Sequence, residues 1–334
     1  MKGTRRTLSP AGAPALLSVA LFALLAAGCA NTIATPANRY ALVIGVQDYP
    51  ADTLDLSYPD DDADSMATLL ASTGWTVTKR LIATSDGGIA TDGSPTKANI
   101  EAAIGDFAAY VGGDTASTIL VYFSGHGSTS TDNSTAYLIP YDGLFNTETK
   151  TTGGLWIASY DLATQANWIT PAQMTTWMGN IVSKNRILIL DSCYSGGFVD
   201  TGSAVDASPQ DSNTITGTSE DGLLFSAIAN LNTLLAASVS REGDPDVITV
   251  SACGSEEESY DDSAHKHGTF TYYLLASADS GDTNQDGFVT TTEAFYYAKE
   301  SVKAYWNSTH SIYGAALLPH ISGGAGDLVL FANR

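Results

Sequence analysis

The chain is poor in cysteine and in positive charge: among 334 residues there are 3 cysteines, and 15 Lys plus Arg stand against 36 Asp plus Glu. A net charge of −21 argues against nucleic acid as a partner, because its phosphate backbone is held by lysine and arginine. The same surplus suits basic peptides and hard cations. So little cysteine excludes a disulfide-stapled scaffold. The apolar stretch at 15–27 is too short for an ordinary transmembrane helix. There is no visible internal repeat. What is present, 44% hydrophobic and 15% charged residues, belongs to a globular domain rather than a disordered chain.

The start has the form of an export signal. Lys2, Arg5 and Arg6 precede the apolar stretch, which ends in Leu25-Ala26-Ala27-Gly28-Cys29. That ending resembles the lipobox of bacterial lipoproteins. The resemblance implies removal of residues 1–28 and lipidation of Cys29, so that residues 29–38 tether a domain at 39–334 to a membrane of the bacterial envelope. Cys193 and Cys253 are then the only thiols left.

Along the domain, apolar runs long enough for strands buried on both faces alternate with stretches of helical period. Strands are expected at 40–46, 75–83, 117–123, 186–190 and 246–252. Helices are expected at 60–72, 96–111, 171–182, 223–237, 268–278 and 291–306. Residues 128–170, rich in Thr, Gly, Asn and Ser, read as loops around one apolar piece at 136–140. The alternation predicts an α/β fold, a mainly parallel sheet flanked by helices on both faces. In such sheets the active site lies beyond the carboxyl ends of the strands.

Two such ends carry reactive side chains. One strand runs into Ser124-Gly125-His126-Gly127, the other into Asp191-Ser192-Cys193-Tyr194-Ser195-Gly196-Gly197. Cysteine attacks as its thiolate, and a nearby histidine makes that thiolate and later protonates the leaving amine. The glycines permit tight turns. The backbone N–H groups of Cys193 and Gly127 are the expected oxyanion donors.

At these residues the chain resembles the caspase-like cysteine peptidases, and the bacterial metacaspase-like branch in particular. The likeness extends over about 40–278 and takes in Gly45, Asp61-Asp62-Ala63, Ser251-Ala252-Cys253 and Gly268-Thr269-Phe270-Thr271. It implies an endopeptidase with His126 and Cys193 as the dyad. It places Asp62, Ser124 and Asp191 in a primary specificity pocket that accepts Arg or Lys, and two carboxylates do suit a guanidinium or ammonium group. The substrates are then peptides or proteins. Enzymes that cut after Asp need arginines there, and the residues around Cys193 include none. Pro59 stands where metacaspases often have Cys. The stretch between His126 and Cys193 is long, with an insertion at 143–170 that is a potential lid or substrate-binding loop. Such enzymes often cut themselves after the nucleophile strand, where Arg241 is the only basic residue between 198 and 245. A catalytically silent binding module at the membrane, or a transpeptidase on the same fold, fits the same pattern.

A last motif lies between the two final predicted helices. Residues 282–293 match the calcium loop D-x-[DN]-x-[DN]-G-x5-E. Asp282, Asn284 and Asp286 are expected to offer side-chain oxygens, Phe288 its carbonyl and Glu293 two oxygens. Calcium is therefore the expected cofactor, structural or regulatory.

Overall fold

A computed structural model describes residues 38–50, 55–129, 136–143, 147–150, 156–159, 166–193, 247–254, 259–310, 316–323 and 327–332. In chain order the elements are β1 (Arg39–Val46), α1 (Pro59–Ser72), β2 (Thr76–Ala83), α2 (Lys97–Val111), β3 (Thr118–Ser124), β4 (Gly127–Thr129), β5 (Ala136–Leu138), β6 (Thr147–Lys150) and β7 (Trp156–Ser159). There follow α3 (Pro171–Gly179), β8 (Asn185–Asp191), β9 (Val247–Ser251), β10 (Asp261–Asp262), β11 (His267–Gly268), α4 (Thr269–Ser280), β12 (Phe288–Thr290), α5 (Thr291–Val302), β13 (His320–Gly323) and β14 (Val329–Ala332).

Six strands form one sheet in the order β13-β9-β8-β3-β1-β2, parallel except for β13, which runs antiparallel to β9. The expected mainly parallel sheet is therefore present. Successive residues of a strand point to opposite faces, so a strand covered on both sides must be apolar throughout. In β1, Ala41 and Val43 enter one core with Met66 and Leu70 of α1, Phe270 of α4 and Phe295 of α5. Leu42, Ile44 and Val46 enter the other, with Ile100 and Phe107 of α2 and Met174 and Met178 of α3. β3 and β8 divide in the same way, Tyr122 and Ile189 on the first face and Val121 and Leu188 on the second. Each Val, Leu, Ile, Met or Phe among them contributes about 1.5–3 kcal/mol when fully buried.

Helix ends follow local chemistry. Pro59 opens α1 with Asp60, Asp61 and Asp62 in its first turn, where the helix dipole favours negative charge. Thr96 caps α2 by accepting from the Asn99 N–H. Thr170 with Gln173, and Thr290 with Glu293, close capping boxes on α3 and α5.

Several expectations need correction. The helix expected over 171–182 ends at Gly179, and the one expected over 291–306 leaves α-geometry after Val302 for a π-helical stretch, Lys303–Asn307. The region expected to be loops holds β4 paired with β5 and a β6–β7 hairpin inside the insertion. These strands are only three or four residues long, too short for a period-2 pattern to show. The C-terminal strands β13 and β14 were not foreseen, being four residues each. The helix expected over 223–237, Arg241, Cys29 and the N-terminal signal lie outside the described residues. Among the described residues no helix is long and apolar enough to cross a membrane.

In parallel pairing Gly45, Ser124 and Asp191 fall side by side, at the carboxyl ends of β1, β3 and β8. A Cβ at Gly45 would lie 2.4 Å from the Pro59 carbonyl oxygen and 2.7 Å from the Ala63 Cβ, so glycine is what lets α1 sit close on β1. Gly45→Ala should therefore cost about 1–3 kcal/mol of stability by overpacking, read as a lower urea midpoint with unchanged slope.

Candidate active site

The switch point of the sheet lies between β1 and β3, where the chain passes from β1 out to β2 and back to β3 on the other side, and the loops after β3 and β8 meet beside it. A Cβ on Gly127 would stand 1.9 Å from the Cys193 carbonyl oxygen, so the His126 and Cys193 turns are in direct contact. The Gly125 N–H donates to the Asp191 carbonyl at 3.2 Å and ties the two turns together. His126 and Cys193 share the wall of one cleft of about 150 Å³, and both are partly exposed. The Cys193 Sγ forms no disulfide with the other described cysteine and lies 3.8 Å from the Ser259 carbonyl oxygen. Cys253 is fully buried below, its thiol 3.2 Å from the Ser192 carbonyl, and so supports the turn.

Tyr49, which the sequence reading missed, holds the histidine turn. Its hydroxyl donates to the Ile139 carbonyl at 3.0 Å and accepts from the His126 N–H at 3.0 Å. Its ring lies 5.0 Å from the imidazole. A Cβ at Gly125 would come within 3.1 Å of that hydroxyl oxygen, which explains the glycine. Burial pushes the Tyr49 phenol far above its ordinary range, so it stays a neutral donor.

The floor of the cleft is acidic. Ser124 and Asp191 line it, as does Asp261, an acid absent from the sequence-based pocket. Asp62 does not reach the wall. It stands behind it, fully buried, accepting from Ser124 Oγ at 3.0 Å, from the Gly268 N–H at 3.1 and 3.2 Å, and paired with His267 Nδ1 at 2.8 Å. Asp191 takes hydrogen bonds from Ser259 Oγ, and from the Thr271 N–H and Oγ1 at 3.1 and 2.6 Å, in the first turn of α4. The Tyr122 hydroxyl backs Thr271 at 2.7 Å. The donors are neutral, so burial still raises the Asp191 carboxyl above the usual range. Burial, with the charge of Asp191 beside it, lifts Asp62 to about 7. Asp261 rises to about 6 through burial of its carboxyl and the charges of Asp191 and Asp60, although the residue as a whole keeps solvent contact. A cleft of this kind attracts a cation.

The fold and cleft define a class: an α/β protein with a thiol and an imidazole at adjacent strand ends, over an acidic floor. The family model of the caspase domain matches residues 38–316, and the chain belongs to that family of cysteine-type endopeptidases. No curated protein matches the chain.

The loop at 282–293 lies away from this cleft, between α4 and α5. Gln285 and Gly287 take positive φ values of 60° and 90°. The carboxylate of Asp282 accepts from the Asp286 and Gly287 N–H groups at 3.2 and 3.0 Å, and Asn284 accepts from Asp286 at 2.9 Å. Glu293 is engaged by Thr283 Oγ1 at 2.7 Å and by the Thr290 N–H at 3.1 Å. Among the described residues no group of three or more His, Cys, Asp or Glu is placed to hold a metal ion. Phe288 pairs through β12 with the C-terminal β14.

Because Gly127 abuts Cys193, Gly127→Ala should separate the two turns. Peptidase activity is expected to fall about a hundredfold, the effect of an ångström-scale misplacement, while far-UV circular dichroism stays unchanged.

Proposed function

We propose that this enzyme cleaves peptides and proteins after Arg or Lys, with Cys193 as nucleophile and His126 as its acid–base partner. The observation that carries the reading is the composition of one cleft. Cys193 and His126 share its wall with Asp191 and Asp261, and among the described residues that wall has no Lys or Arg. A guanidinium or ammonium group entering there finds fixed acceptors and no competing cation on the wall.

The chemistry follows from the residues. The Cys193 thiolate attacks the scissile carbonyl, and the N–H groups of Gly127 and Cys193 receive the developing oxyanion. The His126 imidazolium protonates the departing amine, and water, deprotonated by the same ring, then hydrolyses the thioester. Asp191 and Ser124 contact the basic side chain, and Asp62 adds its field from behind. The reading extends to a lipid anchor at Cys29 on a bacterial membrane and to self-cleavage after Arg241, both supported by sequence alone. It also assigns calcium to Asp282, Asn284, Asp286, Phe288 and Glu293. The donor chemistry and the positive-φ turn support this. Glu293 would have to turn away from Thr283 to serve as a ligand.

A peptide-library assay tests the central claim. Cys193→Ala and His126→Ala should each abolish cleavage without loss of fold, and full activity in Cys193→Ala would sink the assignment. Asp191→Asn should weaken cleavage after Arg by about 1.5–3 kcal/mol, or ten- to over a hundredfold, through loss of a charge-assisted contact. An unchanged preference for Arg would remove Asp191 from the pocket.

The calcium assignment has its own test. Titration calorimetry should find binding at millimolar calcium or below, weakened in Glu293→Gln. Absence of any heat with the wild type would reject the site.

A further inference from the structure

Asp62 and Asp191 are an expensive pair. Both are buried, and both carboxylates lie within 3 Å of the point a Gly268 Cβ would occupy, at 2.9 and 2.6 Å. Two buried carboxylates so close cannot both ionise cheaply without a cation. His267 supplies one: its Nδ1 sits 2.8 Å from Asp62 Oδ1. Its side chain is 18% exposed against 1% for that of Asp62, so of the two it is the one in touch with water.

The groups around His267 leave it alone in that role. Asp61 and Asp62 face it from α1 and Asp191 from β8. Asp262 is its cross-strand partner in β10, where Asp261 precedes it, but Asp262 is bound to His265 at 2.6 Å. The Tyr272 ring of α4 lies 6.3 Å away. Lys266, the neighbouring cation, is exposed in the left-handed turn at φ 55° and acts on Asp61.

We infer that the Asp62–His267 pair holds one exchangeable proton, which His267 releases to water when a basic substrate side chain enters the cleft. The free enzyme keeps His267 as an imidazolium balancing the buried acids. An incoming guanidinium or ammonium group takes over that balance, and a second cation over the same charges is repelled. His267 then loses the proton from its nitrogen that does not face Asp62, keeps Nδ1–H on Asp62, and the bound complex gains a positive charge as it sheds one. Burial opposes the charge on His267, but the hydrogen bond and charge of Asp62 outweigh it and raise its pKa. The hydrogen-bonded carboxyl and imidazole titrate as a coupled pair rather than as two separate groups. His267 is a positioning residue here, acting through Asp62.

The exchange rests on the Arg/Lys reading and has a definite sign. The free enzyme binds one more proton than the complex, so rising pH favours binding. KM for an arginine substrate should fall by up to about tenfold per pH unit below the titration of the pair and level off above it.

The test is spectroscopic and needs no turnover. Cys193→Ala protein carrying ¹⁵N-histidine is titrated at pH 6.5 with a peptidyl-arginine amide. There are five histidines in the chain, and His267→Gln identifies the signal of interest. Saturation should move the His267 nitrogens from the imidazolium pattern to the neutral one. Calorimetry in two buffers of different protonation enthalpy should find about one proton released. Peptide binding with His267 still charged overturns the exchange and leaves the arginine pocket standing. No binding by the folded protein overturns the arginine reading and the exchange with it.

Discussion

Everything at the cleft depends on keeping two carboxylates, Asp62 and Asp191, out of water and apart by no more than the space over Gly268. Buried like charges are tolerated only when hydrogen bonds and a counter-charge surround them. The structure meets that need from four directions: Ser124 from β3, the Gly268 N–H, the first turn of α4 through Thr271, and His267. The result is a rigid negative floor. It also explains why residues far apart in sequence, such as Asp62 and His267, must be held within hydrogen-bond reach.

The sheet makes this arrangement possible. Parallel pairing puts Gly45, Ser124 and Asp191 in one row, so that the chains leaving β1, β3 and β8 emerge together. α1 must then start close to β1, which the missing side chain at Gly45 permits and the acids at its N-terminus exploit. The two turns that carry His126 and Cys193 touch through the backbone at Gly127 rather than through side chains. Contact of that kind fixes distances tightly, because peptide units have no rotamers to relax.

Burial differs between the two described thiols. Cys253 is enclosed and serves packing, while Cys193 keeps partial access to solvent on the wall of the cleft. The same division separates the acids, with Asp191 buried at the cleft, Asp62 buried behind it, and Asp261 on its lining with contact to solvent. Tyr49 belongs to the enclosed set, and its neutral hydroxyl joins the end of β1 to the histidine turn.

What the sequence by itself determined was local in origin. Continuous apolar runs identified β1, β3 and β8, helical spacing identified α1, α2 and α4, and His126 and Cys193 stood visibly just past strand ends, with glycines nearby. Short range suffices for these because periodicity and turn chemistry act over a few residues. Strands of only four residues, β6 and β7 among them, are too short for alternation to be read. Only the tertiary structure decided which acids share the cleft. Asp62 moved behind its wall, Asp261 joined it, and His267 and Tyr49 became partners of residues 205 and 77 positions away. Such pairings follow from sheet register and from the burial cost of unpaired charge, and both are properties of the packed whole rather than of any segment.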